Sequence, residues 1–519
     1  MMKKVLAITP ALLGLLSFPA LADIKTEADR EALFESIVAK TMEREAWSPV
    51  KNENYGVTYP AAFEPLRQKF IEAETDEDLY YAITMLSNSR HDRHLKVTAV
   101  GGGLEIEKRP TLIAPVQFMH DFSKKKPTFF VFDVSTNLAS IDGGKKIKPG
   151  DQVVEINGQS VAEYLEETRP YHRASTEAGF LMRYAMSLNE KSSALPSEFY
   201  QDVLTLTLKP KRGRQYSVSL PYLNNEDVAF SGVGAQQYDG FKKVLDFDSF
   251  DFYRSENGTN RVIFDWYGFR DDIVAAMDEV VAYAKQENLL DHDVIWDGTF
   301  SRGGGRGAYA IQRLQPKPFK TTFGNLRISD ITDDFIAERK SFFDQAKTMS
   351  DGSVELIDDG SWLIDWLLGD VAKGMEAGQA YTNNVPFKSA HAPEYSDGIL
   401  YPAADHFTGD MVCWLSPRGG SHLDQFASIV ADNDLCTILG MPAGGYSNTW
   451  EWTETLTWPG TSEPVVNYMW SIGHTIAPSG RIVEGDPSPV DEFIPLTRDN
   501  FDAYYDILMD RSIEILADD

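Results

Sequence analysis

Residues 419–426, Gly-Gly-Ser-His-Leu-Asp-Gln-Phe, follow the apolar run Met-Val-Cys-Trp-Leu at 411–415 after three intervening residues. An apolar run, a glycine pair and an amphipathic segment predict a buried strand, a tight turn and a helix. Ser421 then stands at the helix N-terminus, where backbone N–H groups and the helix dipole can stabilise an oxyanion beside its hydroxyl. The alternative is structural: Ser421 caps the helix and Asp424 completes a capping box.

The first residues have the organisation of a secretory signal peptide. Lys3 and Lys4 form a basic start, residues 5–16 are mostly apolar, and Ala20 and Ala22 form a small-x-small cleavage site. We predict cleavage after Ala22, so that 1–22 is the signal peptide and the mature chain is periplasmic or secreted. No later stretch is long and apolar enough to cross a bilayer.

The charge of the chain bears on its partners. Its 519 residues carry a formal net charge of −29, which makes nucleic acid and anionic membrane surfaces poor partners. The length predicts two to four domains. The sequence leaves the oligomeric state open, a homo-oligomer included.

Only two cysteines are present, Cys413 and Cys436, each on an apolar run that flanks the predicted helix. If those runs are neighbouring parallel strands, an oxidising compartment favours a disulfide; two buried free thiols are the alternative. Zinc is not expected from two widely separated cysteines.

The N-terminal part, from residue 24 to about residue 89, has helical apolar spacing and ends in a segment that contains His91 and His94. Two histidines three apart can ligate a metal, but no third ligand accompanies them, so we predict no metal site. Either histidine could serve instead as a general base or as a structural residue, and the segment alone leaves both open.

Short strands are predicted over 95–223. The segment 148–161 resembles the Gly-Asp…Ile-Asn-Gly signature of PDZ domains, which bind extended chain ends by adding a strand to their sheet. The stretch 163–196 interrupts this pattern with a partly helical insertion. Peptide binding and a purely structural lobe remain alternatives.

Strands and helices alternate after residue 240, which predicts α/β architecture with a largely parallel sheet. The strand 293–297 runs into a glycine-rich turn at 298–307. This turn has neither the phosphate-loop pattern nor an acidic residue at dinucleotide spacing, so nucleotide binding is not predicted. Residues 306–405 read as an insertion, with helices over 333–349 and 361–375, that forms a lid or substrate wall.

The order of these parts resembles the tail-specific, or C-terminal processing, serine proteases. Asp297 with Gly303 and Gly304 resembles the oxyanion loop of that family, residues 421–424 stand where its nucleophile lies, and 439–445 and 484–489 resemble two later motifs. The resemblance implies a crotonase-like (ClpP-like) α/β core with a PDZ-like β-rich insert and a helical N-terminal region, and no cofactor. The implied boundaries are 23–94 for the helical region, 95–223 for the PDZ-like domain and 224–519 for the catalytic domain, with the insertion 306–405.

One position departs from the pattern of the bacterial processing proteases. They place a lysine base twenty-five residues after the nucleophile, where this chain has Tyr446, so a Ser–Lys dyad of that kind is excluded. The tricorn-like branch is more similar, since it takes its base from an Asp-x-His segment before the PDZ-like insert, here Asp92-Arg93-His94. Its orienting acid comes from the late segment that begins here at Glu484.

The resemblance therefore implies Ser421 as nucleophile, His94 as base and Glu484 as orienting acid, acting directly or through a bridging group. The backbone N–H groups of His422 and of Gly303 or Gly304 would form the oxyanion hole. His91 remains the rival base. The side chain of His422 should point away from the hydroxyl beside it.

The leading hypothesis is a serine endopeptidase that acts on unfolded or extended protein segments. The main alternative is a catalytically inactive homologue that serves as a protein- or ligand-binding scaffold; hydrolysis of a non-peptide ester would use the same residues. Hydrogen-bond reach among Ser421, His94 and Glu484 would favour an enzyme, whereas a separation of His94 from Ser421 well over about 10 Å would favour the scaffold.

Overall fold

The structure is a computed structural model that describes residues 25–141, 144–234, 236–349, 365–386 and 398–518. The predicted signal peptide, 1–22, lies outside these residues. Among the residues described, no helix has the length and apolarity needed to span a membrane. The α-helices span Glu27–Arg44, Pro49–Tyr55, Arg67–Ile71, Asp76–Asn88, Val161–Thr168, Glu177–Ser187, Ile273–Glu287, Gly307–Leu314, Thr332–Met349, Ala372–Glu376, His422–Asp432 and Tyr504–Asp518.

A seven-stranded mixed sheet forms the centre of the fold. The first three strands pair antiparallel with one another. Every pairing from the third strand onward is parallel. Its inner strands are buried on both faces, which explains why they read as continuous apolar runs. In spatial order the strands are Phe241–Asp246, Phe250–Ser255, Arg261–Trp266, Asp293–Asp297, Met411–Leu415, Thr437–Gly440 and Glu492–Phe493.

A disulfide bond joins Cys413 to Cys436. The strands Met411–Leu415 and Thr437–Gly440 are parallel neighbours with Val412 opposite Thr437, and this register makes the two cysteines diagonal neighbours with a Cα–Cα distance of 6.2 Å. Of the two alternatives that the sequence left open, the structure has the disulfide.

A second sheet is antiparallel and precedes the mixed sheet in the chain. Asn157 and Gly158, both with positive φ, form the tight turn expected from the Asn-Gly pair, because that turn needs the left-handed conformation. The helix Glu177–Ser187 shares a hydrophobic core with this sheet. The strands, in spatial order, are Val116–His120, Phe129–Val134, Gln152–Ile156, Val203–Lys209 and Tyr216–Pro221, with Gln159–Ser160 paired to the third.

The N-terminal helices share one core with residues far along the chain. Phe34 and Ile83 from these helices pack in the same cluster as Trp366 and Trp470. The strand Val97–Thr98 pairs with Pro464–Ser471, which in turn pairs with Glu451–Thr457. The segment that carries His94 is therefore fixed between a helix and a strand that both contact the C-terminal part.

The predicted insertion is helical in part. Thr332–Met349 is a helix, close to the expected 333–349. The second predicted helix, 361–375, begins outside the described residues; its described part contains a π-helical turn at Leu367–Val371 and the helix Ala372–Glu376. The remaining short strands are Leu112–Ile113, Glu190–Lys191, Leu223–Asn224, Gly268–Phe269, Arg302–Gly304, Phe319–Lys320, Phe323–Gly324, Val385–Pro386, Ile399–Leu400 and Thr475–Ile476.

Candidate active site

Ser421 occupies the sharp turn between the strand Met411–Leu415 and the helix His422–Asp432. Its backbone has φ 63° and ψ −122°, a conformation that costs a non-glycine residue about 1–3 kcal/mol and that surrounding contacts must hold. The N–H of Ser421 donates to the carbonyl of Tyr446 at 2.6 Å. Its side chain makes no capping hydrogen bond, so the capping interpretation is wrong. Such a strained turn presents a serine hydroxyl away from the backbone.

Asp424 also differs from the expected capping box. Its two carboxylate oxygens accept hydrogen bonds from the N–H groups of Gly445 at 3.0 Å and Tyr446 at 2.9 Å. The carboxyl group is buried, and burial raises its pKa to about 7. Asp424 thus connects the start of the helix to the 441–446 loop rather than closing the helix terminus.

His94 contacts the hydroxyl of Ser421. Its Nε2 lies 2.9 Å from the Oγ of Ser421, and its backbone N–H donates to the Oδ1 of Asp92 at 2.9 Å. Burial lowers the pKa of His94 to about 4; the nearby Arg93, Arg173 and Arg183 lower it further, while Asp92 opposes them. The imidazole is therefore neutral at pH 7 and can accept a proton from the serine.

Two buried carboxyl groups lie beside His94, and one lysine contacts both. Asp92 and Glu484 are each 1% exposed and Lys51 is 3% exposed. The Nζ of Lys51 lies 3.5 Å from the Oε1 of Glu484 and 3.8 Å from the Oδ2 of Asp92. Backbone and side-chain donors complete the network: the N–H of Ser447 donates to Glu484 at 2.8 Å, and the Nδ2 of Asn448 donates to Asp92 at 2.7 Å.

The two carboxyl groups differ in charge at neutral pH. Burial raises the pKa of Glu484 to about 8, and the charge of Asp92 adds to this effect. Burial also opposes ionisation of Asp92, but Lys51, His94 and the hydrogen bond from Asn448 outweigh it, so the pKa of Asp92 is lowered. Asp92 is therefore the ionised partner, with its Oδ1 4.0 Å from the Nδ1 of His94.

Asp92, His94 and Glu484 each offer a ligand atom within 4.8 Å of the others. Within the described ranges this is the one group whose spacing suits a metal ion. The ammonium group of Lys51 already offsets the charge of Asp92, and Glu484 is mostly protonated at neutral pH, so the site attracts a divalent cation only weakly. The Nδ1 of His94 is buried and has no hydrogen-bond partner among the described residues.

Two glycines are required where the glycine-rich loop approaches Ser421. A Cβ atom at Gly303 would lie 2.5 Å from the Cβ and 2.8 Å from the Oγ of Ser421. At Gly304, where φ is 149°, a Cβ would lie 1.7 Å from the carbonyl oxygen of Phe269. Pairing of Arg302–Gly304 with Gly268–Phe269 holds this backbone in place. The structure therefore brings Gly303 directly against the serine side chain.

The other candidate histidines point elsewhere. The ring of His91 stacks on Tyr55 with 3.7 Å between ring centroids. The Nε2 of His422 accepts a hydrogen bond from the N–H of Gly307 at 2.6 Å, so its side chain is turned from the serine, as expected. Of the three candidate histidines, only His94 has a hydrogen bond to the Ser421 side chain in the described structure.

Tyr446, at the position where the bacterial processing proteases have a lysine, packs against His94. Its ring meets that of His94 edge-on, 5.0 Å between centroids. Its hydroxyl accepts a hydrogen bond from the Nη2 of Arg183 at 2.6 Å. Tyr446 thus supports the orientation of the imidazole. Sequence reasoning singled out neither Lys51 nor Asn448, and no motif could have found them, because each reaches the site from a distant part of the chain.

No protein-family model matches the chain, and no curated protein matches it. Solved structures do match. Mature CPAF complexed with lactacystin has a TM-score of 0.67 and 12% identity, over 95% of this chain and 99% of that chain. This chain has the CPAF fold. A second structure of mature CPAF gives the same TM-score and identity, over 95% of this chain and 98% of CPAF.

The photosystem II D1 C-terminal processing protease also matches, with a TM-score of 0.38, 10% identity and coverage of 90% of this chain and 92% of that chain. The resemblance that the sequence predicted is confirmed at the level of the fold by the two CPAF structures. At 12% identity, the likeness to CPAF establishes the mixed α/β fold and leaves the chemistry to be argued from the residues.

Proposed function

We propose that this protein is a serine endopeptidase that cleaves unfolded or extended protein segments, with Ser421, His94 and Glu484 as its catalytic residues. The observation that carries the proposal is the 2.9 Å contact between the Nε2 of His94 and the Oγ of a serine in a strained turn. The fold supports the proposal, because this chain shares it with mature CPAF over 95% of this chain and 99% of that chain.

In this mechanism His94 takes the proton of Ser421 while the Oγ attacks the carbonyl carbon of the peptide bond. The oxyanion that forms is held by the backbone N–H groups of His422 and of Gly303 or Gly304. His94 then gives the proton to the leaving amine, and an acyl-enzyme remains on Ser421. Water, deprotonated by His94, hydrolyses this ester and restores the serine.

The carboxyl groups stabilise the imidazolium that forms on His94. Glu484 orients the imidazole, directly or through a bridging group, since one of its oxygens lies within 4.8 Å of a ring nitrogen. Asp92 supplies negative charge 4.0 Å from Nδ1 at neutral pH, a part that the sequence did not assign to it. No step needs a cofactor.

The architecture of the proposed enzyme follows the sequence-based boundaries. We assign 23–94 to a helical N-terminal region, 95–223 to a PDZ-like domain and 224–519 to a crotonase-like catalytic domain with the insertion 306–405. The antiparallel sheet with its packed helix Glu177–Ser187 supports the PDZ-like assignment. The N-terminal sequence supports a periplasmic or secreted location, where the substrate would be a protein or peptide.

Labelling with a fluorophosphonate, detected by intact mass, tests the proposal on the purified protein. We expect one adduct on the wild type, lost in Ser421→Ala and in His94→Ala and kept in the matched control His91→Ala. Loss in His91→Ala with retention in His94→Ala would assign the base to the other histidine. Absence of an adduct on folded wild type, before and after limited proteolytic nicking, would reject the protease and leave the binding scaffold.

A further inference from the structure

Two arginines contact residues of the Ser421–His94 site, and three more adjoin the site in the sequence. Arg173 donates from Nη1 to the carbonyls of His94 at 3.4 Å and Leu95 at 3.1 Å, and Arg183 donates to the hydroxyl of Tyr446 at 2.6 Å. The other three are next to the site in sequence, beside His94, beside Gly303 or in the turn that leads to Ser421. We call this set the arginine cluster: Arg93, Arg173, Arg183, Arg302 and Arg418.

The arginine cluster has no acidic partner among the described residues. In the part of the chain that the structure describes, none of its five members lies within 4.0 Å of a carboxylate, whereas Arg44, Arg90 and Arg511 each form such an ion pair elsewhere. A shortage of acidic residues does not explain the difference, because the chain has 78 of them against 49 lysines and arginines. The positive charge is therefore concentrated at one place on a strongly acidic protein.

Hydrogen-bond donors of the cluster are also left without acceptors. The guanidinium groups of Arg93, Arg302 and Arg418 donate no hydrogen bond to any described residue. The Nε of Arg183 is buried and has no partner among the described residues. A guanidinium group presents two parallel N–H donors that match a carboxylate, which is the acceptor this arrangement lacks.

The members repel one another. Burial lowers the pKa of Arg418 to about 10, and the charges of Arg302 and Arg183 contribute to this shift. Burial likewise lowers the pKa of Arg93 to about 10, with contributions from Arg183 and Arg173. A bound anion would relieve this repulsion. The cluster therefore favours a bound carboxylate more strongly than one isolated arginine would.

A cavity opens next to Arg418. Its volume is about 410 Å³, and apolar side chains dominate its wall, among them Met119, Phe132, Met182 and Phe300. Arg418 lines the same cavity, with its Cζ 4.2 Å from the centre of the Phe300 ring. Arg183 is tied to this position because it donates a hydrogen bond to the carbonyl of Arg418. The cavity thus has an apolar interior and a cationic side at Arg418, which precedes the proposed nucleophile by three residues in the chain.

We propose that Arg418, supported by Arg183 and Arg302, binds a carboxylate of the substrate next to the scissile bond, while an adjoining apolar side chain enters the cavity. The inference rests on the proposed peptidase activity and names the substrate class: peptide segments with an acidic group beside an apolar one. The carboxylate is that of an aspartate or glutamate side chain of the substrate.

Internally quenched peptides of one apolar parent sequence test the proposal. The set carries Glu, Gln or Lys at each position flanking the cleaved bond, and each peptide is made with a free and with an amidated C-terminus. For the wild type we expect kcat/KM to be about tenfold or more higher for Glu than for Gln. If only the free C-terminus confers the gain, the carboxylate bound is that of the chain end and the proposal is overturned.

Variants identify the binding residue. Arg418→Gln should remove the preference for the carboxylate, and Arg418→Glu should reverse it in favour of Lys. Arg302→Gln, at an exposed position, serves as a second variant with a smaller expected loss. Arg214→Gln, in an exposed hairpin turn of the antiparallel sheet, is the matched control and should keep the full preference.

Equal cleavage of the Glu, Gln and amidated peptides by the wild type would overturn the proposal. A preference that survives in Arg418→Gln and Arg302→Gln would overturn it as well. Fluorophosphonate labelling of the wild type separates this failure from failure of the peptidase: a labelled enzyme without the preference contradicts only the carboxylate site.

Discussion

The Oγ of Ser421 lies 2.9 Å from the Nε2 of His94, although 327 positions separate the two residues in the sequence. The contact depends on two anchors. His94 follows the helix Asp76–Asn88 and precedes a strand that pairs with Pro464–Ser471, while Ser421 is held by the carbonyl of Tyr446. Each side of the contact is thus fixed by residues from another part of the chain. A substitution that disturbs either anchor should lower the reactivity of Ser421.

The pH dependence of catalysis should reflect the buried imidazole. His94 accepts a proton only when neutral, and its pKa is lowered to about 4, so kcat/KM should fall as pH drops through about 4 instead of through the ordinary value of 6.5. The measurement is kcat/KM against pH on a peptide without titratable side chains, over the range where circular dichroism shows the folded protein. A lower limb centred at 6.5 would contradict the assignment of this base.

Ionisation of Glu484 should produce a second change in the dependence of kcat/KM on pH, at alkaline pH. Its pKa is raised to about 8, so its negative charge, which stabilises the imidazolium, develops only as pH rises through 8. We expect kcat/KM to increase again near pH 8 in the wild type. Glu484→Gln should keep the acidic limb and lack this increase; an unchanged profile would show that Asp92 alone provides the charge.

Removal of the buried lysine should destabilise the protein. Lys51→Met leaves Asp92 and Glu484 without their shared cation, and an uncompensated buried charge costs about 3–5 kcal/mol of unfolding free energy. The matched control is Lys285→Met, which breaks a solvent-exposed pair with Asp405 and should cost about 1 kcal/mol or less. Urea unfolding of both variants measures the difference. Similar midpoints would mean that the network does not contribute to stability.

An added methyl group at Gly303 should abolish reactivity of the serine. In Gly303→Ala the new Cβ would lie 2.5 Å from the Cβ of Ser421, which forces the loop or the serine out of place. Gly305→Ala is the control, since a Cβ there meets nothing within 4 Å. The rate of fluorophosphonate labelling should fall by about a hundredfold or more in the first variant, as for loss of an oxyanion donor, and stay near wild type in the second. Equal rates would contradict the placement of this loop.

The ring of Tyr446 should matter more than its hydroxyl. Tyr446→Phe keeps the edge-on contact with His94 and removes the acceptor for Arg183, so we expect a decrease in kcat of about a few-fold, in line with one lost hydrogen bond. Tyr446→Leu removes the ring and should reduce kcat about tenfold more, because the imidazole loses its lateral support. The reverse order would make the hydroxyl a participant in the reaction.

Local sequence patterns predicted the elements around Ser421 well. The apolar run, the turn and the start of the helix at His422 follow from residue periodicity, and the neighbouring parallel strands that set Cys413 beside Cys436 follow from chain order. The same local rules failed at Ser421 itself. Capping statistics describe a serine that interacts with its own helix, whereas here a distant histidine holds the hydroxyl.

The contacts that support the carboxyl groups beside His94 could not be predicted from the sequence. Lys51 reaches Glu484 across 433 positions, and Asn448 reaches Asp92 across 356. Neither residue belongs to a periodic pattern or motif, because its role depends on tertiary packing alone. The clustering of unpaired arginines is likewise invisible in a chain whose overall charge is strongly negative.

The shared core of the N-terminal helices and the strand Pro464–Ser471 has a consequence for biosynthesis. A ribosome produces Ser421 well before Glu484, and the partners that position His94 emerge later still than the serine. A nascent chain therefore leaves the early parts of the site unassembled until Glu484 has been translated. Latency of this kind needs no inhibitor, since the order of synthesis alone would delay the proposed hydrolysis until that point.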